Sequence, residues 1–268
     1  MKAATALIWM SLGFFCFLMG CTNTSSPAVT AGPEVPRLKI TDLEPSDQKF
    51  VKIQCAFSVI LYRVPLKNIQ SIPKVFSMLT EKGLEFEDPD GFAANGFWAV
   101  RGTSAVGPEI VTALGKLEAE RAGIKKLLLF QDYPEEIVGI PMENGGSVFR
   151  FRNDGTLAGQ QVPSGRLSLR LKAKPDVPRK GVTEVEIEPL FKPAALMNLP
   201  SLKRDSLFQS LPFREGQFQT AMEEGDFILL AATRVQEESN TLSRLFLTTE
   251  HKQTEALLYL ILCQKAGE

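Results

Sequence analysis

Three glutamates at alternate positions, Glu184, Glu186 and Glu188, are a candidate cation site. Alternate residues of an extended strand point to one face of its sheet, and carboxylate oxygens are ligands that Ca²⁺ prefers. No second group of carboxylates can be named beside them, so a solvated strand face explains them better. The sequence therefore predicts no metal site.

Asp88 and Asp90 flank a proline in Asp88-Pro89-Asp90-Gly91, and His251 is the single histidine of the chain. General acid and base catalysis needs two carboxylates held across a site, whereas these aspartates fit a turn. His251 lies in a polar stretch where no nucleophile is suggested, which favours a solvated loop. Phosphate-binding glycine loops, zinc-ligand spacings and nucleophile elbows are not found. We therefore expect a protein that is not an enzyme and that carries no cofactor.

Two of the four cysteines, Cys55 and Cys263, fall on the apolar faces of strand-like runs near opposite ends of the chain. A pair of cysteines in an oxidising compartment is a candidate disulfide. The alternative is two buried thiols that never meet, because a free cysteine packs as a small apolar residue.

Cys21 follows Leu18-Met19-Gly20 at the end of an apolar run that starts after Lys2. A basic residue, an apolar stretch and small residues before a cut are the layout of a secretory signal peptide. Leu18-Met19-Gly20-Cys21 resembles the lipobox of bacterial lipoproteins. The resemblance implies a signal peptide over 1–20, lipid on Cys21 and, from Thr22, an outer-membrane location facing the periplasm. The alternatives are an ordinary signal peptide that leaves Cys21 unmodified, or an uncleaved anchor, although the run is short for a membrane span of ~20 residues.

Residues 21–36 are rich in hydroxyl groups and proline and lack an apolar period, which predicts a flexible tether. Residues 37–268 are then expected to form one β-rich domain. The formal net charge of the whole chain is −1, so no basic surface for nucleic acid is indicated.

Strands and helices are interleaved in the helix-containing part, 51–131. We predict a strand over 51–64, a helix over 71–83 and a second helix over 108–121. Residues 124–130 are predicted to be a buried strand because three leucines are consecutive there. Ile110, Val111, Leu114 and Leu117 recur at helical spacing and are expected to be core.

The part over 135–266 is expected to be all-β. Asn153-Asp154-Gly155 predicts a hairpin turn. Alternating patterns at 167–171 and 183–188 predict strands with one face exposed to solvent. Continuous apolar runs at 227–232 and 256–263 predict strands covered on both faces. Residues 192–215 are expected to be irregular. The fold class predicted is therefore α+β and β-rich, with a mostly antiparallel sheet or sandwich.

The order of these elements over 51–266 is similar to the β-domain of bacterial secretins, which form rings in the outer membrane. The resemblance implies a secretin-like fold and work within an assembly. It is carried by the run Ile53–Tyr62, the helix 110–122 with Lys125–Phe130, and the segments Val138–Pro141, Leu167–Leu171, Val185–Pro189, Glu224–Leu230 and Leu257–Cys263.

The functional hypothesis is a membrane-anchored envelope lipoprotein that acts as a non-catalytic structural or assembly component, in a secretin-like secretion or pilus complex. The partners expected are the membrane, through Cys21, and another protein or a second copy of the chain. The alternative is a monomeric periplasmic lipoprotein that binds a small ligand or peptide.

Overall fold

The computed structural model describes residues 53–130, 133–175, 179–194, 210–234, 241–248 and 255–265. All of them belong to one compact unit, Lys49–Glu268. The described chain is α+β and β-rich, and its sheets are antiparallel, as the hydrophobic pattern predicted.

Sheet A has five strands that come from both ends of the described chain. Each strand is antiparallel to its neighbours. In spatial order the sheet contains β3 (Phe97–Thr103), β12 (Asp226–Ala232), β13 (Glu255–Lys265), β1 (Ile53–Pro65) and β4 (Glu120–Phe130).

Sheet B has six strands and comes mainly from the middle of the chain. Its spatial order is β2 (Leu84–Phe86), β11 (Phe218–Met222), β9 (Thr183–Pro193), β8 (Gly165–Pro175) and β5 (Glu135–Met142), with β10 (Leu211–Pro212) also paired to β9. A separate hairpin pairs β6 (Gly146–Phe151) with β7 (Leu157–Val162), and the predicted Asn153-Asp154-Gly155 turn joins them.

The main core lies between the inner faces of sheets A and B, which makes the two sheets a sandwich. Alternation in β8 and β9 supplies one side of this core, and β1, β12 and β13 supply the other. The buried side chains include Leu167, Leu169, Leu171, Val185, Ile187, Phe57, Ile228, Tyr259 and Ile261.

A second core covers the outer face of sheet A with short helices. These are the 3-10 turn Leu66–Ser71, α1 (Ile72–Val75) and α3 (Gly107–Lys116), and they bury Ile72, Phe76, Ile110, Ala113 and Leu114 against the sheet. With both faces covered, β12 is buried throughout. The sequence predicted that the strands over 227–232 and 256–263 are covered on both faces, and the structure confirms this.

The helices differ from the predicted ones in length and in one buried position. The helix expected over 71–83 is the four-residue α1 followed by turns. In α3, Val111 is 71% exposed, because the sheet contacts only the stripe that contains Ile110 and Leu114. The span expected to be all-β also contains α4 (Leu242–Leu247).

Residues Asp88-Pro89-Asp90-Gly91 open a helix, α2 (Pro89–Ala94), where a turn was predicted. The Asp88 side chain accepts a hydrogen bond from the Gly91 backbone N–H at 2.9 Å, which satisfies a donor at the helix start. Phe92 of α2 then packs against Phe86, Phe97 and Phe218, at ring-centre distances of 4.6, 5.3 and 5.7 Å.

The prediction of a buried strand at 124–130 was wrong for most of its side chains. β4 lies at the edge of sheet A, and of its apolar residues only Leu127 and Leu129 are buried. Ile124 and Leu128 are 51% and 46% exposed, because they point to the outer face beyond the area that the helices cover.

Candidate functional site

Cys55 and Cys263 lie on neighbouring strands of sheet A. Cys263 pairs in register with Phe57, and Cys55 is two residues from Phe57 on the same inner face. Both side chains are buried and both are thiols in this structure. The candidate disulfide and its alternative, two separate buried thiols, both stay hypotheses.

The environment of these thiols makes them poor nucleophiles. Burial raises the pKa of the Cys55 thiol to about 12, and the neighbouring Cys263 contributes to the rise. Burial raises the pKa of the Cys263 thiol to about 11, with a further contribution from Asp226. Because the thiolate is the reactive form, neither sulfur is activated for nucleophilic catalysis.

The glutamates of β9 form ion pairs with the neighbouring strand β8. Lys172 Nζ lies 2.7 Å from Glu186 Oε1, and Arg170 Nε donates to Glu188 Oε2 at 2.8 Å. Glu188 is buried, so the solvated face predicted for these glutamates describes Glu184 but not Glu188. Arg170 and Lys172 compensate the charges of Glu188 and Glu186, and no metal-binding cluster of three or more His, Cys, Asp or Glu occurs among the described residues.

The other residues considered for chemistry are not brought together. Asp88 caps α2 and Asp90 lies in its first turn, so the two carboxylates do not face each other across a cleft. His251 and Cys21 lie outside the described residues.

The edges of the two large sheets differ in how they are protected. β2 has only three residues, and β3 is partly covered by hydrogen bonds between the backbones of Thr80 and Arg101 at 2.8 and 3.2 Å. β5 contains Pro141 and a register shift next to it. Short strands, prolines and bulges are the usual devices that block pairing at an edge. β4 is eleven residues long and contains no proline, although its ladder with β1 has two register shifts and its lysines are a further device of this kind.

An apolar groove of about 380 Å³ lies beside β4, between sheet A and strand β5. Its floor comes from the inner face of β1 and β13, and its walls come from β4 and β5. The lining includes Val59, Leu61, Tyr259, Gly123, Lys125 and Ile137. A Cβ added to Gly123 would meet no atom within 4 Å, so the groove is open at that point.

The surface around this groove is basic. Arg121, Lys125 and Lys126 on β4 are exposed, and so is Glu120, whose register neighbour Arg63 forms an ion pair with Glu255 at 3.9 Å. On the β5 side, Glu136 is paired with Arg166 at 3.2 Å and with Lys192 at 3.0 Å. β4 itself therefore carries three positive charges against the one negative charge of Glu120.

A larger cavity of about 680 Å³ lies at the other side of sheet A, where β3 meets α1 and α2. Aromatic rings and two charged side chains line it, among them Phe86, Phe92, Phe97, Trp98, Glu81 and Arg234. Its volume is in the range of small-ligand sites.

Sequence reasoning did not identify β4 or the groove as a functional site. Two signals were present: the basic residues Arg121, Lys125 and Lys126, and Gly123 within a strand-like run. A glycine inside a strand can mark a place where another backbone approaches closely.

No family model, no curated protein and no solved structure matches this chain. Within the ranges that the structure describes, no helix is long and apolar enough to cross a membrane.

Proposed function

We propose that this protein is a lipid-anchored envelope protein that acts by contact within an assembly and not by catalysis. In this proposal, Cys21 carries the lipid and β4 forms the contact with a neighbouring chain. The observation that supports it most is the edge strand β4. It is eleven residues long, no described strand is hydrogen-bonded to its free edge, and apolar side chains are exposed along it.

An edge strand of this length favours association because its outward N–H and C=O groups can pair with another chain, and its lysines disfavour a partner of like charge. Ile124 and Leu128 add apolar area that a neighbour could cover. The two thiols are buried, Asp88 caps a helix, and Glu186 and Glu188 are ion-paired, which supports a non-catalytic role.

The anchor in this proposal is the lipobox-like segment ending at Cys21. One acyl chain gives only reversible membrane binding, and stable anchoring needs a second signal. A lipoprotein with several chains on Cys21 would stay at the membrane, and the tether 21–36 would let the folded unit reach a partner. The resemblance to the secretin β-domain supports a ring-forming secretion or pilus complex as the setting.

The experiment is to purify the full-length protein from membranes in mild detergent and to measure its particle mass. We expect a particle heavier than one chain, and we expect Ile124→Asp to reduce it to the monomer. Leu157→Asp is the matched control, since Leu157 is 52% exposed on the separate β6–β7 hairpin. A wild-type protein that is strictly monomeric would overturn the proposal. Cys21→Ala should separately release the chain from the membrane fraction.

A second function, the binding of a small ligand or peptide by a monomeric lipoprotein, is favoured by the 680 Å³ cavity beside Trp98. A ligand for this cavity should raise the melting temperature of the full chain, and Trp98→Ala should abolish that rise without affecting the particle mass.

A further inference from the structure

We propose that the edge of β4 binds an extended, acidic segment of a partner protein by strand addition, with apolar side chains of that segment entering the groove beside β5. This inference rests on the proposed function, because it names the partner of the same contact site. The expected occupant is a peptide segment that contains both apolar and acidic residues.

The backbone of β4 supports strand addition. β1 pairs with one side of β4 over the register from Ile53–Phe130 to Arg63–Glu120, and none of the described strands pairs with the other side. In an antiparallel sheet, alternate residues direct their N–H and C=O groups to opposite neighbours. About half of the backbone groups of β4 therefore point outward, and an added strand would pair with them.

The side chains of β4 indicate where the residues of an added strand would lie. Gly123 and Lys125 face inward with Leu127, so alternate side chains of the new strand would enter the groove between β4 and β5. The groove floor of Val59, Leu61 and Tyr259 is apolar. The remaining side chains would lie on the outer face beside Ile124 and Leu128, which favours apolar residues on both faces of the partner.

The positive charge of β4 favours acidic residues in the partner segment. Arg121 and Lys126 lie on the outer face, opposite Tyr62 and Ser58 of β1, and Lys125 lies beside the groove, so both faces of an added strand would meet a cation. The Lys125 ammonium donates to the Glu136 backbone oxygen at 2.6 Å, which leaves its charge uncompensated by a carboxylate at that contact. Opposite charges on adjacent strands stabilise pairing, and like charges directly opposite destabilise it.

The same charges disfavour a second copy of β4 as the occupant. An antiparallel two-fold pairing of two β4 strands about their centre would place Lys125 opposite the Lys125 of the other copy. In the same pairing Lys126 would lie opposite Ile124 and Arg121 opposite Leu129, so each of these cations would meet an apolar residue instead of an acidic one. A partner strand of opposite charge is free of this repulsion.

The experiment uses the full chain in mild detergent and a synthetic peptide of about nine residues with the repeat Val-Val-Glu-Glu, which places valine and glutamate on both faces of a strand. We expect saturable binding, slower hydrogen exchange of the amides in 120–130, and weaker binding at high salt. The double substitution Lys125→Glu with Lys126→Glu should weaken binding by about tenfold or more, because it turns attraction into repulsion. Gly123→Leu should weaken binding to a similar degree by filling the groove. A peptide with lysine in place of glutamate should bind the wild-type chain worse and the double variant better.

The matched controls are Lys82→Glu with Lys180→Glu, which makes the same charge change at two exposed turn positions, and Gly115→Leu, which enlarges an exposed glycine of α3. Both should bind the peptide like wild type, and the melting temperatures of all variants should show that they fold. Equal binding by the charge-reversed and wild-type chains would overturn the inference. So would protection of 120–130 by self-association alone, or by anionic lipid vesicles without the peptide.

The two proposals fail in different ways. If the particle from membranes is heavier than one chain and depends on Ile124 but not on Lys125 and Lys126, the assembly role stands and the acidic partner is wrong. If no heavier particle exists, the assembly role itself is wrong.

Discussion

Cys55 on β1 and Cys263 on β13 lie on the same inner face of adjacent strands, although they come from opposite ends of the described chain. Cys263 is opposite Phe57, and a register shift between Ala56 and Phe57 separates Cys55 from the regular ladder. The pair is therefore diagonal across the sheet. Diagonal neighbours are about 7–8 Å apart between Cα atoms, slightly more than a typical disulfide spans, so a bond would require a small adjustment at the bulge.

We expect the reduced, native protein to react very slowly with a thiol reagent, because both sulfurs are buried and burial raises the pKa of both thiols above the neutral range. In denaturant, both should react. Refolding with a small-molecule disulfide as the oxidant should remove both thiols together through an intramolecular bond. Loss of one thiol alone, or a covalent dimer, would contradict the proposed pair.

Asn95 is expected to be one of the costliest polar residues to truncate. Its side chain is buried, donates to the Phe151 backbone oxygen at 2.7 Å and accepts from the Phe151 N–H at 2.9 Å, so it acts as a strand partner for β6. Asn95→Ala leaves both backbone groups of Phe151 unpaired and should lower the free energy of unfolding by about 2–4 kcal/mol. Urea denaturation measures this, with the exposed Asn144→Ala as the control. A loss no larger than that of the control would show that water replaces the amide.

The stability of the protein at alkaline pH should depend on Tyr259. Burial raises the pKa of this phenol from 10.0 to about 12. The folded chain therefore holds the phenol proton more tightly than the unfolded chain does. The stability from this difference is fully present below pH 10 and is lost as the pH rises from about 10 to 12.

Tyr259→Phe removes this titration, so the variant should lose less stability than wild type over that pH interval, by on the order of 2–3 kcal/mol. Denaturant midpoints measured from pH 8 to pH 12 would show it. Tyr133→Phe, at a residue that is 65% exposed, is the control and should follow the wild-type curve. Parallel pH curves for wild type and Tyr259→Phe would contradict the prediction.

Two glycines of strands should respond oppositely to alanine. A Cβ at Gly165 would lie 2.4 Å from the Lys192 backbone oxygen and 2.4 Å from Phe191 Cζ, so Gly165→Ala must move β9 or a core ring. We expect a loss of about 1–3 kcal/mol in the free energy of unfolding. At Gly123 the added methyl group meets nothing within 4 Å, so Gly123→Ala should be neutral or slightly stabilising. Thermal unfolding of both variants tests the pair, and equal effects would contradict it.

Much of the local structure was predictable because it depends on the period of the apolar residues. The alternation at Leu167, Leu169 and Leu171 identified β8 and its buried face, and the apolar run at 227–232 identified a strand covered on both sides. Asn153-Asp154-Gly155 identified the β6–β7 turn. These patterns are local, since a strand buries one face or both faces whatever its neighbour is.

The same reasoning failed where the environment of a residue depends on distant parts of the chain. Leu127, Leu128 and Leu129 look alike in sequence, but β4 lies at the edge of sheet A, so Leu128 is exposed between two buried leucines. Glu188 was expected to face water, and it pairs with Arg170 because β8 and β9 are neighbours in this register. The capping role of Asp88 required knowledge of where α2 begins.

The sequence by itself determined the β-rich α+β class, the faces of most strands and the prediction of a lipid anchor at Cys21. Each of these follows from residue types and their spacing along a short stretch of chain. Only the tertiary structure decided which strands are edges, that Cys55 lies near Cys263, and that a basic edge and an apolar groove meet at β4. The physical reason is that strand pairing joins residues far apart in the chain, and hydrophobic periodicity carries no information about which strand a given strand will pair with.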